Sequence, residues 1–404
     1  MIQERDRYFK KVVELRHAGE TLSFRVAQDL FSSHRVDVGT QRLLRSIARE
    51  GFEACRKVLD LGCGYGPLGL ALKKKDPGRS VHLVDRDALA VTYTRQNAAL
   101  NAVPEVEVYA GLGYDDVHAA DFDLVISNIP GKAGDSVITY LLRDAHWVLK
   151  PGGYVAVVVV APLASLVART LDVIEAEVLF HEERSGHAIF HYSFSHEVSM
   201  TPQPHSNAVD RGIYDRQVLN LALDDVDLTL HTAWGLPEFD SLSYRTDLVL
   251  EALTAWGGAI PERVLLFNSG QGHLPAVLWR LMKPVHISLV DRDLLALRYS
   301  RRNLVNNGCP IDRVELCHQV GLARDVKKEI QLAVGLLREE EGREAIAASV
   351  RDLVPQLEPG GTVLLAGGST PVTRLIDDLR GVDGLRVRDR RKRRGRSLLE
   401  LERR

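Results

Sequence analysis

The chain has 404 residues, of which 52 are basic and 54 acidic, and 45% of it is hydrophobic. A length prior of roughly 150 residues per domain predicts two or three domains, and this composition excludes disordered and fibrous classes. The formal net charge of −2 gives no overall attraction to nucleic acid, so any such binding must come from local patches.

Targeting and cysteine signals predict a cytoplasmic protein with reduced thiols. The N-terminal sequence is charged from its start and lacks the apolar core of a secretory signal. The longest apolar stretch, residues 155–168, is interrupted by Pro162 and Ser165 and is shorter than the roughly 20 residues of a membrane helix. The four cysteines form no CxxC pair and no zinc-type cluster with histidine. We therefore expect no membrane partner and no metal.

Short β-branched runs alternate with helical patterns in the first half, which is typical of a parallel sheet covered by helices. The predicted strands are residues 57–61, 80–85, 106–110, 122–127 and 154–160. The predicted helices are residues 66–75, 88–100, 136–148 and 164–175. Residues 179–194 then predict two strands around Ser185-Gly186.

A glycine-rich turn links the first predicted strand to the first predicted helix. Such a turn lets backbone approach a ligand, and the helix N-terminus favours a negative group. Its GxGxxG spacing alone would suit NAD, but the Asp60 carboxylate would oppose a pyrophosphate and suits the cationic amino acid end of S-adenosylmethionine. The alternative is a turn without a ligand. The candidate cofactor residues here are Asp60, Gly62, Cys63, Gly64 and Gly66.

The second predicted strand ends in another carboxylate, Asp85, which lies 25 positions after Asp60. A carboxylate at this place can accept hydrogen bonds from both ribose hydroxyls of a nucleoside. Taken alone it would suit a helix cap, and Asp87 could serve either function. We include Asp85 and its neighbour Arg86 as cofactor-binding candidates.

The fourth predicted strand is followed by Asn128, Ile129 and Pro130, the candidate catalytic residues. Ligands of doubly wound sheets bind beyond the carboxyl ends of the strands. There the Asn128 side-chain oxygen and the Ile129 carbonyl could accept both hydrogens of a planar amino group and align its lone pair for methyl transfer. In isolation, Asn-x-Pro would favour a plain turn.

The second half repeats the first at an offset of 206 residues, with KVLDLGCGYGPLGLAL at 57–72 aligned to RVLLFNSGQGHLPAVL at 263–278. The repeat also aligns Thr40 with Thr246, Asn97 with Asn303, residues 84–87 with 290–293 and, at an offset of 208, residues 149–153 with 357–361. We expect two domains, residues 1–205 and 206–404, with the boundary in a polar segment around residues 200–212.

The second copy has lost the chemistry-bearing residues. Asp60 is replaced by Leu266, Gly62 by Asn268 and Asn128 by Leu336, whereas Gly270, Gly272 and Asp291 keep the pattern. We expect this copy to be inactive and to serve a structural or RNA-binding function.

Eight of the eleven residues from 386 to 396 are Lys or Arg, in a segment that aligns with the predicted hairpin of the first copy. A structured basic hairpin fits contacts with RNA phosphates, although a solvated charged surface is an equal alternative. The candidate substrate-binding residues are Arg390, Arg391, Arg393 and Arg394.

The glycine turn, the acidic strand end and Asn-Ile-Pro resemble class I S-adenosylmethionine-dependent methyltransferases. More narrowly, residues 31–40 and 127–134 resemble the small-subunit ribosomal RNA guanine-N2 methyltransferases, which include tandem-domain members with one degenerate copy. The resemblance implies an α/β protein with two Rossmann-like domains, each a mostly parallel doubly wound sheet that ends in an antiparallel hairpin. The family usually has Asn-Pro-Pro followed by a bulky residue, whereas this chain has Ile129 and Gly131. Ile129 keeps the backbone carbonyl but fixes its position less firmly than proline, and Gly131 removes a surface that could pack against the base.

The resemblance implies that S-adenosylmethionine is the cofactor and that the partner is RNA, either ribosomal RNA or a ribosomal subunit; the oligomeric state stays open. Two other hypotheses remain. The acceptor could be a protein glutamine or a small-molecule amine, because Asn-x-Pro serves any planar amide or amine. A non-catalytic RNA- or ribosome-binding protein could also keep cofactor affinity.

Overall fold

The computed structural model describes residues 6–195, 205–223, 226–322 and 329–404. The chain divides into two compact units, Phe9–Tyr214 and Asp215–Arg404, and residues 6–8 belong with the second unit. This division lies nine residues beyond the expected end of the first domain at residue 205. The physical reason is that residues 205–214 bond to the first unit, where the Ala208 N–H donates to the Asp115 carboxylate at 3.0 Å.

The first unit opens with elements that the sequence patterns did not predict, a two-stranded hairpin of β1 (Phe9–His17) and β2 (Glu20–Ala27), followed by helix α1 (Val38–Arg49). Its main strands are β3 (Lys57–Leu61), β4 (Ser80–Asp85), β5 (Val106–Ala110), β6 (Phe122–Asn128), β7 (Leu149–Val160), β8 (Glu177–Arg184) and β9 (His187–Ser193). Its further helices are α2 (Pro67–Lys75), α3 (Ala88–Leu100), α4 (Asp135–Arg143) and α5 (Ala164–Val173).

These seven strands form one sheet in the order β5-β4-β3-β6-β7-β9-β8. The first five are parallel, and β9 and β8 add an antiparallel end. The fold class expected for the first copy is thus confirmed. Strand β7 begins five residues before its predicted start, because Leu149 already pairs with Phe122 ahead of a register shift.

The second unit repeats this order strand for strand, as β14-β13-β12-β15-β16-β18-β17. Its hairpin and sheet strands are β10 (Asp215–Leu223), β11 (Val226–Ala233), β12 (Arg263–Phe267), β13 (His286–Asp291), β14 (Val314–His318), β15 (Ile330–Leu336), β16 (Leu357–Gly368), β17 (Leu385–Arg393) and β18 (Arg396–Arg403). Its helices are α6 (Tyr244–Thr254), α7 (His273–Met282), α8 (Leu294–Asn306), α9 (Arg343–Leu353) and α10 (Ser369–Asp378). The basic run therefore lies in a structured hairpin of β17 and β18, as predicted.

Short 3-10 turns complete both units, at Phe52–Ala54, Asp144–Trp147, Ala161–Leu163, Ile311–Arg313, Glu339–Glu341 and Val354–Gln356. Over the part of the chain that the structure describes, we find no helix with the length and apolar character needed to cross a bilayer.

The centre of the first sheet positions the site. Strand β3 is buried on both faces, with Val58 and Leu59 fully buried, because helices cover a parallel sheet on each side. Strands β4 and β6 flank it in parallel register, with Asp60 opposite Leu83 on one side and Ile126 on the other. The carboxyl ends of these three strands therefore meet at one edge.

Candidate functional site

The turn after β3 uses its glycines in two different ways. Gly62, Gly64 and Gly66 all have positive φ angles, of 74°, 58° and 91°. A Cβ at Gly62 or Gly64 would meet no atom within 4 Å, whereas one at Gly66 would lie 2.9 Å from a Leu70 methyl group. The first two glycines therefore border open space at the sheet edge, and the third permits close packing against helix α2.

Asp60 lies beneath this turn, with no exposed surface. Its Oδ2 accepts a hydrogen bond from the Gly69 N–H at 2.8 Å, while Oδ1 is buried without a hydrogen-bond partner among the described residues. Burial raises the pKa of Asp60 to about 7, the Gly69 bond opposes that rise, and the Asp85 charge adds to it. An orphaned carboxylate oxygen here fits a ligand that brings a positive charge or a donor.

Asp85 ends β4 and is held by backbone donors on both oxygens. Its Oδ2 accepts from the Gly64 N–H at 2.8 Å and its Oδ1 from the Asp87 N–H at 2.9 Å. Burial raises the pKa of Asp85 to about 6, and the neighbouring Arg86 charge works in the opposite direction. Asp87 caps helix α3 by accepting from the Leu89 N–H at 2.9 Å, so the two acidic residues have separate functions.

Helix α3 holds the glycine turn from the other side. The Thr94 hydroxyl donates to the Gly64 carbonyl at 2.8 Å, and the Asn97 side-chain NH2 donates to the Tyr65 carbonyl at 2.9 Å. Cys63 is buried in the turn with its Sγ 3.8 Å from the Thr94 hydroxyl oxygen. Burial raises the pKa of the Cys63 thiol well above its usual range, so this cysteine is a packing element rather than a nucleophile.

Asn128 ends β6, and its amide is oriented by two residues to which the sequence reasoning gave no function. The Asn128 NH2 donates to Asp37 Oδ2 and to the Thr40 hydroxyl oxygen, each at 3.0 Å. A carboxylate can only accept, so the amide nitrogen must face Asp37 and the amide oxygen is left as an acceptor. Asp37 also caps helix α1 through the Thr40 N–H at 3.1 Å. The sequence signal for Asp37 and Thr40 was that both lie in the motif of residues 31–40, which resembles the family.

Ile129 and Pro130 shape the chain just beyond Asn128. The Ile129 N–H donates to the Val158 carbonyl at 3.0 Å, which fixes the peptide plane, and the Ile129 side chain is buried. Pro130 is exposed and its carbonyl accepts from the Ala133 N–H at 3.2 Å. A turn from Pro130 to Ala133 therefore follows directly after Asn128 and Ile129.

The equivalent place in the second unit is filled by its own side chains. Asn268 occupies the Gly62 position with a positive φ of 52°, and its NH2 donates to the Leu336 carbonyl at 2.9 Å. Asp291, the counterpart of Asp85, is ion-paired with Arg338. The cavity between these residues has a volume of about 30 Å³, enough for a water molecule and far too small for a nucleoside.

Two arginines of the β17–β18 hairpin are tied to neighbouring helices of the second unit. One Arg390 nitrogen donates to the Ser369 carbonyl and to the Thr373 hydroxyl oxygen, both at 2.7 Å. Arg393 forms an ion pair with Glu251 at 2.5 Å. These contacts give both side chains a structural function that the charge run alone did not predict.

The other two candidates make exposed contacts. Arg391 pairs with Asp389 at 3.1 Å, two residues back on the same strand, and Arg394 donates to the Tyr244 hydroxyl group. An exposed ion pair such as Arg391–Asp389 contributes little to stability, typically about 0–1 kcal/mol, and can exchange partners. Both side chains therefore remain candidates for phosphate contacts.

The first unit fits a nucleoside sulfonium cofactor and the second does not. Open space over Gly62 and Gly64, an orphaned Asp60 oxygen and a carboxylate at Asp85 lie at one edge. They match a cationic amino acid end and a ribose. Asn128 ends the neighbouring strand with an amide oxygen available to an acceptor amino group.

Residues 21–184 match the family model of the methyltransferase small domain. The ribosomal RNA small subunit methyltransferase C of Hahella chejuensis is 39% identical over 144 residues, which cover 34% of this chain and 40% of that protein. The Bacillus subtilis protein YbxB, described as uncharacterized, is 28% identical over 164 residues, 38% of this chain and 81% of its own. The match thus spans less than half of the rRNA methyltransferase relative.

A solved structure of the T. thermophilus 16S rRNA N2 G1207 methyltransferase RsmC, in complex with AdoMet and guanosine, covers 98% of both chains. Its TM-score is 0.69 and its sequence identity is 17%, so this likeness concerns the fold. The motif resemblance and the expected tandem architecture are both confirmed. Residues 21–184 of the first unit thus match a methyltransferase small domain, and the chain as a whole has the fold of the RsmC structure.

Proposed function

We propose that the protein is an S-adenosylmethionine-dependent methyltransferase that acts on the exocyclic N2 amino group of guanine in ribosomal RNA. The observation that carries the proposal is the fixed Asn128 amide. Because Asp37 and Thr40 take its NH2 group, its oxygen is presented as an acceptor at the edge where Asp60 and Asp85 end their strands.

The first unit supplies the cofactor residues of this proposal. Asp60 would bind the ammonium group and Asp85 the ribose hydroxyls. The backbone of the turn from Gly62 to Gly66 would line the part of the cofactor between them. Arg86 and Cys63 complete the set, Arg86 through its charge beside Asp85 and Cys63 by packing. When bound, the cofactor supplies an electrophilic methyl group on a sulfonium sulfur.

The acceptor residues act by alignment. The lone pair of an exocyclic amino group is delocalised into the ring, which makes it a poor nucleophile. In our proposal the Asn128 oxygen and the Ile129 carbonyl accept its two N–H bonds and turn the lone pair toward the methyl group, while Pro130 ends the strand. These bonds strengthen as positive charge develops on the nitrogen, so they stabilise the transition state more than the bound substrate.

An RNA acceptor follows from the relatives and the basic hairpin. The name of the 39% identical relative supports small-subunit ribosomal RNA. A guanine amino group inside a helix is out of reach, so the base must be unpaired or flipped into the site. Arg390, Arg391, Arg393 and Arg394 would contact phosphates. Work on ribosomal RNA would place the protein in the cytoplasm.

Mass mapping of ribosomal RNA nucleosides, with and without the gene, tests the proposal. We expect one N2-methylguanosine to disappear on deletion, to return with the wild-type gene, and not to return with Asn128→Ala. An unchanged nucleoside map together with a missing methyl group on a ribosomal protein glutamine would reject the RNA acceptor. If deletion removes no methyl group from ribosomal RNA or from ribosomal protein, methyltransferase activity on either is rejected.

A further inference from the structure

His187 lies at the same sheet edge as Asn128, although no sequence motif includes it. Strand β9 begins at His187, which pairs with Val160, the last residue of β7. Strand β7 also pairs with β6, with Val158 opposite Asn128. The strand order β6-β7-β9 therefore brings this imidazole to the end of the sheet at which the candidate acceptor groups stand.

The side chains of His187 and Asp37 both lie against Gly39. A Cβ on Gly39 would lie 2.7 Å from His187 Cδ2, 3.1 Å from its Nε2 and 2.8 Å from Asp37 Oδ2. That carboxylate oxygen is the one bonded to the Asn128 NH2 group at 3.0 Å. The imidazole edge and the Asp37 carboxylate therefore both lie directly against Gly39, where a side chain would displace one of them, and Asp37 links this contact to Asn128.

The hydrogen bond of the other ring nitrogen sets the tautomer. His187 Nδ1 lies 3.1 Å from the Ser185 carbonyl oxygen, which can only accept, so Nδ1 carries the hydrogen. In the neutral ring Nε2 then carries a lone pair. Within the described parts of the chain, no group is hydrogen-bonded to Nε2. The neutral His187 ring therefore has its hydrogen-bond acceptor at Nε2, beside Gly39.

We propose that His187 Nε2 accepts the N1–H of the target guanine and so selects guanine, an inference that rests on the proposed function. Guanine carries the N1–H beside its N2 amino group. A base held by that amino group at Asn128 and Ile129 presents its next donor, N1–H, to the side of the pocket. A ring nitrogen without that hydrogen, as in adenine, would set two lone pairs against each other, and buried polar mismatches of this kind are costly.

The test compares guanine with 2-aminopurine, which keeps the amino group but has no hydrogen on N1. RNA fragments carry either base at the position that nucleoside mapping identifies. His187→Ala should lower kcat/KM for the guanine RNA on the order of 10-fold, the worth of about one hydrogen bond, and raise kcat/KM for the 2-aminopurine RNA, because it removes the lone pair that opposes N1. His187→Gln, which keeps an acceptor, should retain more guanine activity than His187→Phe.

Two measurements separate this contact from a folding effect. Affinity for S-adenosylmethionine, measured by calorimetry, should be the same in wild type and His187→Ala. Arg396→Ala is the matched control, because Arg396 begins β18 as His187 begins β9 and pairs with the last residue of β16. It should leave the ratio of the guanine rate to the 2-aminopurine rate unchanged, because any phosphate contact of the basic hairpin affects both RNAs equally.

Three results would overturn the inference. His187→Ala could lower the rates of both RNAs equally, which would make the residue a packing element, or it could lower neither, which would remove the contact. A wild-type protein that methylates no RNA guanine would reject the proposed function and, with it, the inference.

Discussion

Asp60 is a buried carboxylate with one oxygen satisfied by the Gly69 N–H and the other orphaned within the described residues. Its pKa of about 7 in the folded protein lies far above the value of 3.8 for an exposed aspartate. The folded state therefore holds this proton more tightly than the unfolded chain. Stability from this group is fully present below about pH 4 and is lost as the pH rises through 7. The charge that suits a cationic ligand costs the empty protein stability.

Asp60→Asn should raise the free energy of unfolding at pH 8 by about 3 kcal/mol, because it removes the charge and keeps an acceptor for Gly69. The gain should shrink as the pH falls toward 5, and cofactor affinity should fall at both pH values. Urea titrations and calorimetry measure the two effects. Asp123→Asn is the control of opposite sign, since Asp123 accepts from the Arg56 N–H and pairs with Lys150, contacts that lower its pKa. A loss of stability in Asp60→Asn would contradict this account.

Asn128→Ala should lower kcat on the order of 100-fold with little change in cofactor affinity, the size expected when one preorganised transition-state hydrogen bond is removed. Asp37→Ala should lower kcat less, because it frees the amide without deleting it. Ser243→Ala is its matched control, since Ser243 caps α6 through the Thr246 N–H and the second unit has Leu336 in place of Asn128. Equal kcat values for Asn128→Ala and wild type would mean that Asn128 is only a turn residue.

At the scale of elements, the two units share their turn supports and differ in what the turns present. Asn97 bonds the Tyr65 carbonyl and the β2 backbone at Arg25. Asn303 makes the same bonds in the second unit, to the Gln271 carbonyl at 2.8 Å and to the β11 backbone at His231. This explains why the asparagine persists in both copies. It holds a helix, a hairpin and a turn together, whether or not the turn binds a ligand.

Asn97→Ala and Asn303→Ala should each lower the free energy of unfolding, on the order of 2 kcal/mol per substitution, because each leaves backbone groups without partners. Only Asn97→Ala should also weaken S-adenosylmethionine binding, since it frees the turn of Gly62 and Gly64. Denaturant titration and calorimetry on the same samples distinguish the two effects. Equal binding losses in both variants would show that the second unit contributes to the cofactor site.

The elements that the sequence predicted are those with local signals. The parallel strands are short β-branched runs, and the glycine-rich composition after β3 predicts the turn there. The β1–β2 hairpin was missed because its turn, Ala18-Gly19, lacks the usual Asn-Gly or Asp-Gly pattern. The bond from Asn128 to Asp37 joins residues 91 positions apart, so no local pattern could reveal it.

Over the whole chain, the same fold occurs twice, with different residues at the corresponding edge of the sheet. In the first unit the sheet edge keeps buried charge and open space. In the second unit Arg338 neutralises Asp291, and Asn268 bonds across the turn to the Leu336 carbonyl. A parallel sheet with covering helices does not need the ligand-binding residues, so they can be lost without loss of the fold. The repeated unit is then free to serve another function, and its most distinctive surface is the basic β17–β18 hairpin.

If that hairpin anchors RNA, its cations must release counterions when they meet phosphates. Replacing Arg390, Arg391, Lys392, Arg393 and Arg394 with Gln should therefore lower RNA affinity and flatten its dependence on salt concentration, while S-adenosylmethionine affinity stays unchanged. Because Arg390 and Arg393 also bond to neighbouring helices, their substitution carries a structural cost. The variant Arg391→Gln with Lys392→Gln avoids those two contacts and should lower the salt slope by roughly 1 to 2. A slope equal to that of wild type in both variants would leave the hairpin as a solvated surface, with its arginines serving only the ion pairs of the second unit.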